Sequence, residues 1–191
     1  MIKLWPGFLL LGLIALNGCT STIHAVTKEP LEPDPTTTSV GTDLDDWQMS
    51  TLIGVNLKKA HPQLEKSHIN IHTHNKVVLL TGEVPSTEMR TLAGETARHY
   101  RGVRQVYNEL QIQGSTSLLS RANDSWLTTK VKSKLIADRN IKGRRVKVIT
   151  EGGTIYLMGI VTRSDADTIA AIASNTRGAR KVVRVFEYLD D

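Results

Sequence analysis

Three groups of side chains in this 191-residue chain have types and spacings that could do chemistry. The only cysteine, Cys19, closes a short apolar run and offers a thiol for acylation. A tryptophan, Trp126, precedes lysines that could meet anionic phosphates while the indole sits at headgroup depth. A third group consists of imidazoles, which at close spacing can bind a metal. These are His68, His72 and His74. Which of the three groups could be functional depends on the helices and strands that position them.

The cysteine ends an N-terminal export signal. Lys3 gives a minimal positive start, and residues 8–16 form a nearly unbroken apolar run. Spanning roughly 30 Å of hydrocarbon needs about 20 apolar residues, so this run is too short. It therefore predicts a signal peptide over residues 1–18 rather than a permanent membrane helix.

The ending Leu16-x-Gly18-Cys19 resembles the lipobox of bacterial lipoproteins. The resemblance implies cleavage before Cys19, diacylation of its sulfur and acylation of the new amino terminus by fatty acids such as palmitate. Thr20 rather than Asp follows the cysteine, which in such lipoproteins implies transport to the outer membrane. Asn17 departs from the usual small residue, and an ordinary secretory signal with an accidental cysteine is the alternative.

After the cysteine, residues 19–40 are rich in Thr, Ser and Pro without a hydrophobic period, which predicts a disordered tether. The formal net charge is +5 and is spread unevenly. Residues 115–191 carry fourteen Lys or Arg against eight Asp or Glu, whereas residues 40–114 carry eight of each. The C-terminal part is therefore the better partner for an anionic surface.

The rest of the chain repeats itself at a spacing of about 77 residues, which predicts two copies of one small domain over residues 41–114 and 115–191. Each copy has the pattern helix, strand, strand, helix, strand, with hairpin turns at residues 75–76 and 152–153. Burying the apolar faces predicts an α+β fold (αββαβ) in which a three-stranded mixed sheet packs on two helices.

Glycines punctuate both copies at matching positions. Gly82 and Gly159 stand near the ends of the second strands, where glycine permits a bulge or a close backbone approach, so a structural role is expected. Gly102 and Gly178 stand where the C-terminal caps of the second helices belong.

This order of elements, with a glycine closing each second strand, resembles the BON domain (bacterial OsmY and nodulation). Two tandem copies behind a lipobox resemble the dual-BON lipoproteins, and the resemblance covers nearly the whole chain. It implies a protein anchored on the periplasmic face of the outer membrane that binds phospholipid, maintains envelope integrity and gathers at division sites. It implies no catalytic residues and no cofactor, and it assigns phospholipid binding to the opening helix of the second copy.

The spacing of the residues in this helix also makes it the best candidate for lipid contact, apart from the resemblance. Leu127, Val131 and Leu135 recur at helical spacing and should face the sheet, with Asp124 or Ser125 capping the start. An anionic phospholipid of the phosphatidylglycerol kind is the expected ligand. The alternative is a tryptophan at the domain edge beside a solvated lysine face. A basic run over residues 142–147 either widens this footprint or forms a solvated loop. The expected phospholipid-binding residues are Trp126, Leu127, Lys130, Lys132, Ser133 and Lys134.

The remaining candidates are weaker. The histidines alternate with Ile69 and Ile71, which predicts a polar, exposed strand face rather than a metal site, because no acidic or cysteine partner converges. No nucleophile elbow, phosphate loop or paired-carboxylate motif occurs, so an enzyme is not expected. Nucleic acid is a poor partner for an exported lipoprotein, and a monomer is expected. The alternative function is a protein-interaction factor that supports the outer-membrane assembly machinery and touches the membrane only through its anchor.

Overall fold

The computed structural model describes residues 40–112 and 118–189, and both sequence copies belong to one compact unit. The predicted signal peptide, Cys19 and the predicted tether up to residue 39 lie outside the described residues. Within those residues, none of the helices combines the length and the apolar character that crossing a membrane requires.

The first domain contains the predicted helices and strands together with one short helix that the pattern did not predict. The bounds are α1 Val40–Ala60, the unpredicted α2 Pro62–Lys66, β1 His68–His74, β2 Val77–Val84, α3 Thr87–Arg98, β3 Gln105–Asn108 and β4 Gln111–Ile112. β1 pairs antiparallel with β2, and β3 and β4 both pair parallel with β2. The last strand is divided into β3 and β4 because Leu110, between them, turns into the core and is only 1% exposed.

The second domain repeats the arrangement with an unbroken last strand. The bounds are α4 Leu118–Ala137, β5 Lys147–Glu151, β6 Thr154–Val161, α5 Arg163–Ser174 and β7 Lys181–Tyr188. β5 pairs antiparallel with β6, and β7 pairs parallel with β6. A single 3-10 turn, Gly143–Arg145, precedes β5. The α+β fold with a three-stranded mixed sheet on two helices is therefore confirmed in both copies.

Each domain has its own apolar core between its helices and one face of its sheet. The predicted helix stripes are confirmed, because Leu127, Val131 and Leu135 of α4 are buried together with Ala166 and Ile169 of α5. In the first domain the same positions hold the α1 and α3 residues Met49, Ile53, Leu57, Met89 and Ala93.

Both predicted hairpin turns are present, and an aspartate holds each one. Both residues of each turn have positive φ, as a two-residue hairpin requires. The Asp46 carboxylate accepts the backbone N–H groups of Asn75 (2.6 Å) and Lys76 (2.8 Å). The Asp124 carboxylate accepts those of Gly152 and Gly153, both at 2.8 Å. The expectation that Asp124 caps its helix was wrong: α4 begins at Leu118, and Asp124 clamps the turn instead.

The second-strand glycines differ from each other. Gly82 has a φ of +113°, and a Cβ there would lie 2.0 Å from the carbonyl oxygen of His68 on the paired strand. At Gly159 a Cβ would lie 3.3 Å from the carbonyl oxygen of Arg145, and the backbone is not left-handed. The close approach that the sequence suggested for both is therefore severe in β2 and slight in β6.

Gly102 and Gly178 do not cap the second helices. The C-cap residues are His99 and Asn175, three residues earlier. The two glycines lie further along the loop, where their φ values of +92° and +107° turn the chain toward the last strand. Their requirement for a left-handed backbone is the one the sequence suggested, but it serves the loop rather than the helix end.

The two domains pack sheet against sheet, with the helices on the outside. In β2, Val78 and Leu80 enter the first core, whereas Val77 and Leu79 point the other way and pack against the second domain. Both central strands are therefore buried on both faces, which accounts for their unbroken apolar runs. The interface cluster consists of Val77, Leu79, Tyr107, Ile149, Tyr156, Met158, Val183 and Val185.

This packing corrects the predicted position of the histidines. Ile69 and Ile71 pack against the first core, so the alternating histidines of β1 face the second domain and are half-buried rather than exposed. Burial, together with the charge of Lys147, lowers the pKa of His72 to about 4. Burial also lowers the pKa of His74, against the opposing effect of Asp46.

Polar contacts at the edges of the interface show that the two hairpin turns lie at opposite ends of the paired sheets. Near the first turn, Asn75 Nδ2 donates to Glu187 Oε1 (2.9 Å) at the end of β7, and Arg104 lies 2.7 Å from the same carboxylate. Near the second turn, Asn70 Nδ2 donates to Glu151 Oε2 (2.8 Å). The two sheets therefore pack with their hairpin turns at opposite ends.

Candidate functional site

Helix α4 presents Trp126 beside, not within, the second core. Leu127 is 4% exposed and Val131 and Leu135 are fully buried, which fixes the rotation of the helix. Trp126 lies on the flank of this stripe and is 61% exposed, although it is a large apolar side chain. The helix therefore holds an indole at the surface by burying its neighbours.

Two lysines of α4 reach across to the loop that follows α5. The Lys130 ammonium lies 3.9 Å from the centroid of the Trp126 ring, a cation–π contact, and donates to the carbonyl of Arg177 at 3.2 Å. Lys134 makes a longer contact, 3.5 Å, with the carbonyl of Asn175. The carbonyl end of a helix carries partial negative charge, which favours both ammonium groups at this loop, and the cation–π contact places that of Lys130 beside the tryptophan.

Two arginines complete the site, and the sequence analysis did not identify them as functional. A cavity of about 220 Å³ is bordered by Trp126, the turn at residues 152–153, and the exposed residues Arg177 and Arg180. Both arginines are distant from Trp126 in the chain, and only the fold brings them together with it. We call Trp126, Lys130, Lys134, Arg177 and Arg180 the Trp126 cluster.

Two of the expected lipid-binding residues do not belong to this surface. Leu127 is buried in the core, so it supports the helix instead of contacting a ligand. Lys132 lies about 120° around the helix from Trp126. It faces the side of Lys147, whose pKa it helps to lower, although burial is the larger cause. Ser133 is exposed on the tryptophan flank, as expected.

The basic run at residues 142–147 does not widen the Trp126 cluster. Lys147, its last residue, donates to the carbonyl of Thr73 in the first domain at 3.2 Å. This contact lies beside the first hairpin turn, at the opposite end of the paired sheets from the cluster. The end of this run therefore belongs to the domain interface.

The first domain lacks an equivalent cluster, which makes it an internal comparison. Counted from the two turn-clamping aspartates, Gln48, Leu52 and Asn56 replace Trp126, Lys130 and Lys134. Of the two arginines that the repeat conserves, Arg104 is engaged with Glu187. At the equivalent positions of the described residues, the first domain thus has neither the indole nor the two lysines.

The side chains gathered at the Trp126 cluster limit what it could bind. Among the residues that the structure describes, no group of three His, Cys, Asp or Glu side chains is placed to hold a metal ion. The cluster offers cations and an indole beside a shallow cavity, which suits an anionic headgroup at an interface.

The fold and the repeat define the class: the chain belongs to the BON domain family, whose family model matches residues 45–114 and 123–190. It is similar to the outer membrane lipoprotein DolP of Haemophilus influenzae, with 38% identity over 93% of this chain and 92% of that protein. It is also 35% identical to the 21 kDa hemolysin of Actinobacillus pleuropneumoniae, over 87% of this chain and 84% of that protein. The osmotically-inducible protein Y of Escherichia coli is 30% identical over 78% of this chain and 75% of its own length.

Proposed function

We propose that this chain is an outer-membrane lipoprotein, anchored through Cys19 on the periplasmic face, whose second BON domain binds anionic phospholipid through the Trp126 cluster. The printed name of its relative from Haemophilus influenzae supports the location. The observation that carries the binding proposal is the exposed Trp126 indole beside Lys130, Arg177 and Arg180, an arrangement that the equivalent positions of the first domain lack.

The magnitudes fit a reversible surface contact that adds to the anchor. Each Lys or Arg held near an anionic membrane contributes about 1 kcal/mol, and the contribution fades beyond a Debye length. Tryptophan favours the headgroup region, where its apolar ring and its N–H are both accommodated. Four cations and one indole would hold the domain on a membrane already brought near by the acyl chains.

Maintenance of envelope integrity and gathering at division sites are the wider role that this proposal includes. Local enrichment of anionic phospholipid would decide where the anchored protein accumulates. Variants of the Trp126 cluster that keep Cys19 should then stay in the outer membrane and lose their local enrichment. A contact with the outer-membrane assembly machinery is the other candidate role, which would depend instead on the first domain.

The experiment is vesicle binding by a fragment of residues 40–191, which contains both cores and lacks Cys19. Vesicles with and without phosphatidylglycerol are compared by co-sedimentation. Wild type should bind the anionic vesicles, whereas Trp126→Ala and the double variant Arg177→Glu/Arg180→Glu should lose binding while remaining folded. Arg177→Glu alone should weaken binding, and Arg101→Glu, the corresponding single change in the first domain, is its matched control and should bind normally. Equal binding by all variants, or no binding by wild type, would overturn the proposal.

A further inference from the structure

The outward face of α1 carries an apolar stripe that takes no part in the function proposed above. Eight large apolar side chains are exposed among the described residues, and four of them belong to this one helix. Leu44 is 63% exposed, Trp47 66% and Val55 41%. The fourth, Leu52, lies at the edge of the same face. An exposed apolar surface of this kind is typical of an interaction site.

The stripe lies on the side of α1 that is opposite the core. Met49, Ile53 and Leu57 are buried in the first core, which fixes the rotation of the helix. At about 100° per residue, the side chains that point away from this core follow each other at intervals of three, four, four and three positions. They are the exposed residues Leu44, Trp47, Thr51, Val55 and Lys58. Similar intervals line the seam along which two helices pack in a coiled coil.

The fold does not require apolar residues on this face, because the second domain does without them. Counted from the two turn-clamping aspartates, the positions of Leu44, Trp47 and Val55 hold smaller or polar side chains in α4. These are the exposed residues Ala122, Ser125 and Ser133. Thr51 is repeated as Thr129, and each hydroxyl donates to the carbonyl four residues earlier. The apolar stripe is therefore a property of the first domain alone at these positions.

The stripe is symmetric about its central residue, Thr51. Trp47 and Val55 each lie four positions from it, and Leu44 and Lys58 each lie seven positions from it. When two copies of α1 cross antiparallel at Thr51, Trp47 of each copy meets Val55 of the other. Leu44 of each copy then meets the aliphatic part of the other copy's Lys58. The face therefore matches itself when it is turned end for end.

The charged ends of α1 favour an antiparallel pair over a parallel one. Asp43 lies in the first turn and the exposed Asp45 follows it, whereas Lys58 and Lys59 lie in the last turn. Two antiparallel copies place the acidic end of each helix beside the basic end of the other. Two parallel copies would place like charges together at both ends. The face is thus complementary to itself, as the interface of a two-fold symmetric dimer requires.

We propose that α1 is the interface of a symmetric dimer in which the helices of two copies pack antiparallel across Thr51. One helix face buries less than the roughly 1,200 Å² at which stable complexes begin, so the association of the free fragment is weak. The anchor proposed above would confine the protein to a surface and so raise its effective concentration. A monomer, which the sequence alone led us to expect, is the alternative outcome of the test.

The test is disulfide cross-linking of the fragment of residues 40–191, which contains no cysteine because Cys19 is the only one in the chain. Single cysteines are introduced, and each fragment is oxidised at high protein concentration. Thr51→Cys should give a covalent dimer, because position 51 meets its own copy at the two-fold axis. Thr129→Cys, at the equivalent exposed position of the second domain, is the matched control and should stay monomeric.

Mixed fragments test the direction of packing. In the antiparallel pair, position 44 of one copy lies about 14 residues of helix, or about 21 Å, from position 44 of the other. Leu44→Cys alone and Lys58→Cys alone should therefore stay monomeric, whereas an equal mixture of the two should give a covalent heterodimer. Cross-linking of Leu44→Cys to itself would indicate parallel packing and would overturn the proposal.

Two further variants borrow the residues of the second domain and so should keep the fold. Trp47→Ser and Val55→Ser each remove apolar area from both halves of the interface. Each should lower the association constant at least about tenfold, as measured by sedimentation equilibrium. Trp126→Ala should associate as the wild type does, so the result is independent of vesicle binding. No covalent dimer of Thr51→Cys, an equal yield from Thr129→Cys, or unchanged association of Trp47→Ser would also overturn the proposal.

Discussion

Asp46 and Asp124 occupy the same position in the first helix of their domains, and both are buried. Each accepts the two backbone N–H groups of the hairpin turn in its own domain. The pair aligns the first helix of each copy with its sheet. In the second domain the same clamp fixes the turn that borders the Trp126 cluster. A structural contact inside the repeat thus also shapes the candidate lipid site.

Asp124→Ala should destabilise the second domain. The change leaves two turn N–H groups without their acceptor, which we expect to lower the free energy of unfolding by about 1–3 kcal/mol. Urea denaturation of the fragment of residues 40–191 measures this. Asp124→Asn, which keeps one acceptor, should cost less. The control is Asp167→Ala, which removes only an exposed ion pair with Arg184 and should change stability by less than about 1 kcal/mol.

Gly82→Ala should be far more damaging than Gly159→Ala. A methyl group at position 82 meets the His68 carbonyl and also demands a left-handed backbone, so we expect a loss of about 3–5 kcal/mol. At position 159 the neighbour need move by only a few tenths of an ångström, and a loss of about 1 kcal/mol is expected. Thermal unfolding of the two variants compares them. Equal losses of stability would mean that both positions require glycine to the same degree, contrary to the difference between them in the structure.

The sequence predicted the fold well because the pattern of each helix and strand occurs twice, once in each copy. The hairpins at residues 75–76 and 152–153 and the α4 stripe of Leu127, Val131 and Leu135 were all legible in local spacing. The packing of one sheet on the other was not anticipated, although the signal was present. The runs at residues 77–80 and 155–158 are apolar without alternation, which is typical of strands buried on both faces.

Only part of the candidate site could be predicted from the sequence. Trp126 and Lys130 lie one helical turn apart, so helical spacing alone brings them together. Arg177 and Arg180 join them only through the return of the chain after α5, which no local pattern encodes. Lys132 lies on a different side of the same helix, and its expected part in lipid binding stays a prediction.

Met158→Asp should separate the domains without unfolding them. Met158 is 1% exposed and lies in the interface cluster, so a carboxylate there is unfavourable until the sheets part and water reaches it. The matched change is Leu157→Asp, one residue away but inside the second core, which should unfold that domain. Small-angle scattering would report a larger radius of gyration for Met158→Asp, while circular dichroism stays native. Loss of the dichroism signal in both variants would contradict this assignment.

Acid should weaken the folded state through His72. Its pKa is lowered from 6.5 to about 4, mainly by burial and also by Lys147, so the folded protein favours the neutral ring. The unfolded chain takes up the proton first as the pH falls. Above pH 6.5 the ring is neutral in both states and His72 does not lower the stability. Between pH 6.5 and about pH 4 the free energy of unfolding falls progressively, by at most about 3 kcal/mol. The lowered pKa of His74 acts in the same direction, whereas the raised pKa of Glu151 acts in the opposite one.

His72→Gln should flatten this dependence. Urea denaturation at about pH 7 and about pH 4.5 compares the variant with wild type, and the difference between the two conditions should shrink in the variant. His99→Gln, at an exposed helix end, should leave the difference unchanged. An unaltered pH dependence in His72→Gln would place the acid sensitivity elsewhere in the interface.

Substitutions of two lysines of α4 test whether vesicle binding depends on the Trp126 cluster or on the positive charge of the whole helix. Lys130 stacks on Trp126, so Lys130→Glu removes one favourable charge and adds an unfavourable one, about 2 kcal/mol or roughly thirtyfold in vesicle affinity. Lys132→Glu makes the same change in net charge on the far side of the helix and should weaken binding less than about threefold. Titration of both fragments with phosphatidylglycerol vesicles at two salt concentrations measures the difference, and added salt should reduce it. If the two variants lost affinity equally, net charge alone would account for binding and the Trp126 cluster would have no specific part in it.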